Sequence, residues 1–487
     1  MKKEENDDTD LNPQRRREKF TLICTTVVTA LLYAGLIAWW HFHTPSIDLR
    51  VQAPGADNRP EGKTRSANDV LIGEFFMRYA DETSSLQGKW RCFRGQDFSN
   101  VVRTDDKINL SDESYPVEWS FETGEGHAAP VIFNGRVYVL DYDEKLSSDA
   151  LRCFALESGR ELWRRWYRVP MKRNHGFSRT APAAGEKYVI TVGPQGHVMC
   201  CDPDDGKMKW TLDMRKHLKT EVPFWYSGQC PRIDGSTLVL APAGDSVLLA
   251  GIDCETGAML WTTPNSPRFK MSHSSITPMT LSGKKTYVYA GVGGVCGISA
   301  EPADAGALLW SIDKWQPSVI APSPLQVSPS EIFMVAGYGT GGALMTVVKS
   351  GANWNVAFRE RYKPAEGMSS EQQTPILYND MLIGIMPKDG GVMRGRLVCH
   401  SPSDLHSPVW TSDERFGLGP YLVVNNSLFV FNDDGELFVY DILKNGLKLR
   451  KRQRVMDGVD AWGPMAYADG RLIVRDAHHV CCLKITI

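Results

Sequence analysis

The chain has 487 residues, a formal net charge of −2, 42% hydrophobic residues and 43 glycines. That balance gives no ground for nucleic acid or an anionic membrane surface as the main partner. Length alone would allow two or three domains, but an internal repeat overrides a length argument.

Residues 1–20 are polar and mixed in charge. Residues 21–40, TLICTTVVTALLYAGLIAWW, carry no charge and match a hydrocarbon core of about 30 Å as a helix. Arg15, Arg16, Arg17 and Lys19 stand directly before it against Glu18 alone. The positive-inside rule then makes 1–20 a cytoplasmic tail, 21–40 an inner-membrane anchor, and the remainder periplasmic or otherwise extracytoplasmic. A cleaved signal peptide would have a shorter apolar region and a small-residue site after it, where this chain has Trp39, Trp40, His41 and Phe42. Residues 41–89 read as a linker. Within it Val70, Leu71, Ile72, Phe75, Phe76 and Tyr79 have the spacing of one amphipathic helix.

From Trp90 to Ile487 a phrase repeats eight times. A proline opens a short apolar strand, a turn pair reverses it, and the last of four strands closes on tryptophan. The prolines are Pro130, Pro182, Pro231, Pro278, Pro324, Pro375, Pro420 and Pro464, 44 to 52 residues apart. That period with four strands per unit predicts an all-β, eight-bladed β-propeller over 90–487. The turn pairs are Asn134-Gly135, Ala184-Gly185, Asp234-Gly235, Ser282-Gly283, Ser328-Pro329, Asn379-Asp380, Asn425-Asn426 and Asp469-Gly470. Trp163, Trp210, Trp261, Trp310, Trp354 and Trp410 close six units, and the seventh has Leu447 and Leu449 there. The eighth unit is too short for a fourth strand, which would leave an open edge. Val117 to Phe121, carrying Trp119, is expected to supply that strand and close the ring.

Strings such as CFALESGRELW, CCDPDDGKMKW and IDCETGAMLW resemble the tryptophan-docking repeats of the pyrroloquinoline-quinone (PQQ) propeller superfamily. WRCFRG is similar to the opening of its membrane-anchored bacterial members. Eight blades behind an anchor most resemble the BamB-type scaffold of outer-membrane protein assembly. The resemblance implies a non-catalytic envelope scaffold that binds other envelope proteins through its loops, with no cofactor. The matching residues are structural, so the likeness bears on fold more than on function.

The same superfamily includes PQQ-dependent alcohol dehydrogenases, the alternative reading. Their chemistry needs a calcium on a Glu, an Asn and an Asp, an Asp base, and a disulfide of adjacent cysteines beside the quinone. Cys200-Cys201 and Cys481-Cys482 are adjacent pairs, on the third strand of their units, where Cys153 and Cys399 stand singly. Neighbouring residues on a strand point to opposite faces, so these thiols read as small hydrophobes, reduced and buried. The residues before each proline cross to the central channel. They supply His127, Arg179, Gln229, His273, Glu371, Gln373, Asp460 and Trp462 as candidate channel lining. Only Glu371 and Asp460 are carboxylates, no Asn accompanies them, and the histidines lack metal-ligand spacing. Asp433-Asp434-Gly435-Glu436 reads as a hairpin turn. The glycines over 291–297 and 337–342 lie between strands, unlike a phosphate cradle before a helix. Arg164, Arg165, Arg168, Lys172 and Arg173, with Trp166 and Tyr167, form a basic stretch read as a solvated loop or a partner-binding patch.

Overall fold

A computed structural model of the protein describes residues 13–43, 70–111 and 113–487. They fall into two units, one holding the N-terminal helix and one running from Val70 to Ile487. The expectations for the tail before Pro13 and for the linker over 44–69 lie outside the described residues.

Pro13–His43 is a single α-helix. Proline suits its first turn, where the missing N–H has no intrahelical acceptor to lose. Over Arg16–Phe42 it is long and apolar enough to cross a membrane, a property shared by anchors and signal sequences. The hydroxyls of Thr21, Thr25, Thr26 and Thr29 each donate to the carbonyl four residues earlier at 2.8 Å. These hydroxyls are thereby satisfied within the helix, as a hydrocarbon surrounding would require.

The second unit is an eight-bladed propeller of antiparallel four-stranded blades. Blades 1 to 7 span 131–168, 183–213, 232–264, 277–312, 325–362, 376–415 and 421–454, and blade 8 takes 466–484. The missing outer strand of blade 8 is Val117–Glu122, which pairs antiparallel with His479–Lys484, Trp119 opposite Cys482. Arg152 of blade 1 adds a 3.0 Å hydrogen bond to the Glu122 carbonyl across the closure. Positive φ occurs at the first hairpin of blades 1, 3, 4, 6, 7 and 8, for example 48° and 71° at Asn134 and Gly135. Ala184-Gly185 and Ser328-Pro329 turn without it; proline fixes φ near −65° and cannot enter that region.

The tryptophans follow one packing rule. Trp163, Trp210, Trp261, Trp310, Trp410 and Trp119 stand opposite Cys153, Cys200, Gly251, Gly297, Cys399 and Cys482 on the third strand. Only a small side chain fits there: a Cβ on Gly251 or Gly297 would fall inside the facing indole. Four of the indoles also reach the next blade. Trp163, Trp210 and Trp261 cover Gly206, Gly257 and Gly306, and Trp119 covers Gly159 of blade 1 in the same way. Trp354 departs from the pattern. It faces Lys349 near the tip of the long Gly341–Tyr362 hairpin, and Glu360, before the bulge, takes the tryptophan's place. In blade 7 that place belongs to Lys451 instead of Leu447 or Leu449. Lys451 lies 4.2 Å from the centre of the buried Tyr115 ring and donates to the Glu113 carbonyl.

Two segments differ from expectation. The amphipathic helix through Val70, Leu71, Ile72, Phe75, Phe76 and Tyr79 is instead a strand, Phe75–Arg78, added outside blade 1 and paired with Glu161–Arg168. Phe75 stacks on Trp166 at 5.7 Å and the Arg165 guanidinium lies 4.6 Å from the Phe76 ring. Cross-strand partners decided between helix and strand, and spacing alone does not register them. Arg164, Trp166 and Arg168 therefore belong to an outer strand, with Arg164 paired to Glu161 and Tyr167 buried.

The stretch from Gly88 to Asn109 is a belt across the hairpin ends of the innermost strands. Lys89–Trp90 pairs with blade 1, the Ala184 N–H of blade 2 donates to the Arg91 carbonyl, and Arg232 of blade 3 covers Phe98. Val101–Val102 runs parallel to the first strand of blade 7, and Tyr467 of blade 8 donates to Asp106. Arg94, fully buried at φ 63°, donates to the carbonyls of Phe98, Ser99, Thr374 and Pro375. The belt closes one end of the channel, leaving a cup.

Candidate functional site in the central channel

His127, Arg179, His273, Glu371, Gln373, Asp460 and Trp462 line one cavity of about 250 Å³ in that cup. Gln229 does not. It is buried, and its amide accepts from the Ala241 N–H at 2.8 Å and donates to the Ala241 carbonyl at 3.0 Å. A buried strand edge needs those bonds, and they turn the side chain into blade 3. The sequence reading missed Phe93 of the belt, Trp225, and Tyr338 and Lys388, which come from the loops between the second and third strands of blades 5 and 6. The repeat itself held the signal, since those loops return to the face where the chain crosses between blades.

Arg179 organises one wall. Its Nε donates to the Trp225 carbonyl, and Nη2 to the carbonyls of Asn174 and His175, each at 2.7 Å. Its guanidinium lies 5.7 Å from the Trp462 ring, and His127 stacks on that ring at 3.5 Å. Burial pulls the Arg179 pKa down to about 10. Burial first, then the Arg179 charge, lowers His273 to about 4, and burial with Arg475 and Arg179 puts His127 well below the usual histidine range. Both imidazoles are neutral at pH 7. Trp225 stacks on Tyr338 at 5.9 Å. Glu371 accepts from the Lys388 N–H at 3.2 Å, with Lys388 Nζ 3.7 Å away, and Gln373 donates to the carbonyls of Leu418 and Trp462.

These residues do not fit a calcium-bound quinone. The two lining carboxylates sit on different blades, Glu371 is held by Lys388, and no asparagine lines the cavity. Among the described residues no group of three or more His, Cys, Asp and Glu is placed to hold a metal ion. Cys230 reaches the cavity singly, its sulfur accepting from the Ala181 N–H, whereas Cys200-Cys201 and Cys481-Cys482 are packed inside the blades.

The sequence pattern of a family described as outer membrane protein assembly factor BamB matches residues 147–394 and, overlapping, 226–442. Together these cover more than half the chain. The protein belongs to this PQQ-like propeller family. Among solved structures, BamB from Moraxella catarrhalis is 13% identical over 76% of this chain and all of its own, with a TM-score of 0.49. A europium-containing methanol dehydrogenase is 12% identical over 80% of this chain and 89% of its own, with a TM-score of 0.56. At 12% identity the second likeness speaks for the propeller fold alone. No curated protein matches the sequence significantly.

Proposed function

We propose that this PQQ-like propeller is a non-catalytic scaffold of the bacterial envelope. The Pro13–His43 helix anchors it in the cytoplasmic membrane with the N-terminus in the cytosol, and loops at the open face of the cup bind other envelope proteins. Family membership supports the class. The observation that carries the reading is how the channel's polar groups are used: Arg179 and Gln373 hold backbone carbonyls and Glu371 is tied to Lys388, as a rigid binding surface needs. Around the mouth Phe224, Tyr338 and Val392 expose large apolar side chains, suited to a protein partner.

The test is a photo-crosslinking residue in place of Phe224, activated in intact cells. Discrete adducts with envelope proteins are expected, and their absence would defeat the scaffold. The quinoprotein reading has its own assay: stoichiometric binding of PQQ and calcium with dye-linked alcohol oxidation would replace the scaffold with an enzyme.

A further inference from the structure

We propose that the cup receives the free C-terminal carboxylate of a partner's extended chain, bound at Arg179. The inference rests on the scaffold reading and names the chemistry of its partner. Arg179 Nη1 has no hydrogen-bond partner among the described residues, and none of their carboxylates lies within 4.0 Å of the guanidinium. Two nearby carboxylates have other cations: Glu125 pairs with Arg173 and Glu371 faces Lys388. Asp460 is exposed at the edge of the cavity. A half-buried cation whose hydrogen bonds all go to carbonyls gains from an incoming anion, because charge-assisted bonds are the stronger kind.

Three further observations specify a chain end. His127 lines the same cavity at 2% exposure, and among the described residues its Nδ1 has no hydrogen-bond partner within 3.5 Å, although the Asp460 and His175 backbones lie beside the ring, so the ring keeps hydrogen-bonding capacity for a ligand. Phe93 of the belt lines the cavity and its neighbour Arg94 spans to the Thr374 carbonyl, which sets the belt beneath the cavity and favours a terminus that enters and stops over a segment that runs through. At about 250 Å³ the cavity is smaller than the roughly 300–1,000 Å³ of sites that enclose a drug-sized ligand. It suits one terminal residue, with Trp225 and Tyr338 as an apolar wall for that residue.

The probe is the tetrapeptide acetyl-Ala-Ala-Ala-Phe with a free carboxylate, compared with its C-terminal amide, titrated by calorimetry into the full-length protein in detergent. The acid is expected to bind about tenfold more tightly, the effect of one charge-assisted contact. Arg179→Gln should bring the two within about twofold, whereas Asp460→Asn should preserve the preference. Equal binding of acid and amide by the wild-type protein, or no binding of either, overturns the inference, as does a preference that survives Arg179→Gln. If Arg179→Gln does not fold, the wild-type ratio alone decides. Crosslinks at Phe224 that persist without any acid preference would leave the scaffold standing and remove only this inference. Absence of crosslinks would remove the scaffold itself.

Discussion

Trp119→Ala tests the closure of the ring. The indole is 8% exposed, covers Gly159 of blade 1, and donates from Nε1 to the Leu156 carbonyl at 2.8 Å. It stacks on Phe121, which stacks on Phe154 of blade 1 at 3.8 Å. Truncating a buried tryptophan costs about 3–5 kcal/mol, and a buried carbonyl losing its donor adds about 1 kcal/mol. Unfolding entropy of about 2.1 cal/mol/K per residue implies, for a propeller of roughly 400 residues, about 1.2 °C of Tm per kcal/mol. Trp119→Ala should then lower the Tm by about 5–7 °C. Trp261→Ala in blade 3 should lower it less, since Trp261 is half-buried and, among the described residues, makes no hydrogen bond through Nε1. The assay is thermal circular dichroism of matched samples. Removing residues 1–69, which lie outside the propeller unit, should leave the Tm unchanged, while removing 1–122 takes away the closing strand and the belt. A Trp119→Ala melt within about one degree of wild type, or equal melts for the two truncations, would refute the reasoning.

Three other outcomes are expected. Asp149 is fully buried, accepting from the Tyr167 and Ser178 hydroxyls, and burial raises its pKa from 3.8 to about 7. The folded state therefore binds the proton more tightly than the unfolded state, and stability is lost as pH rises from about 4 to 7. Urea midpoints should show Asp149→Asn gaining about 2 kcal/mol on wild type between pH 5 and pH 7 by proton linkage, and a pH-independent difference would contradict the assignment. The ten cysteines outside the helix are buried and unpaired, and burial lifts Cys201 and Cys481 to about 12. Iodoacetamide should label none of the ten in the native protein and all ten in unreduced guanidinium, so fewer labels in denaturant would reveal a disulfide. Arg94→Ala removes hydrogen bonds to three buried carbonyls and one half-buried one, of which Thr374 keeps the Tyr421 hydroxyl, and should cost about 3 kcal/mol by denaturant titration; a loss under about 1 kcal/mol would mean the belt is not held there.

The blades were legible because five of them repeat the same contact between an indole and a small residue ten to thirteen positions upstream. Even the strand outside the repeats could be placed, since Trp119 had no other unit to complete. What escaped was held by partners far along the chain. Arg94 bonds to Thr374, 280 residues away, and nothing local marks it. The Phe75–Arg78 strand carries helical spacing by coincidence, and only its pairing with Glu161–Arg168 distinguishes the two. In the cup, position before the proline identified seven lining residues, but not that Gln229 would turn back to bond Ala241.

The belt and the closing strand also set an order of events. Residues 88–122 leave the ribosome before any complete blade, yet their partners in blades 6, 7 and 8 are among the last to appear. These contacts join residues 280 or more positions apart, so loop closure must precede their reward. Until His479–Lys484 is available, the Val117–Glu122 edge stays unpaired, the state in which a sheet edge is open to wrong neighbours. Synthesis slow enough to expose that interval should therefore make the protein dependent on chaperones that shield strands, in proportion to the delay before its last blade emerges.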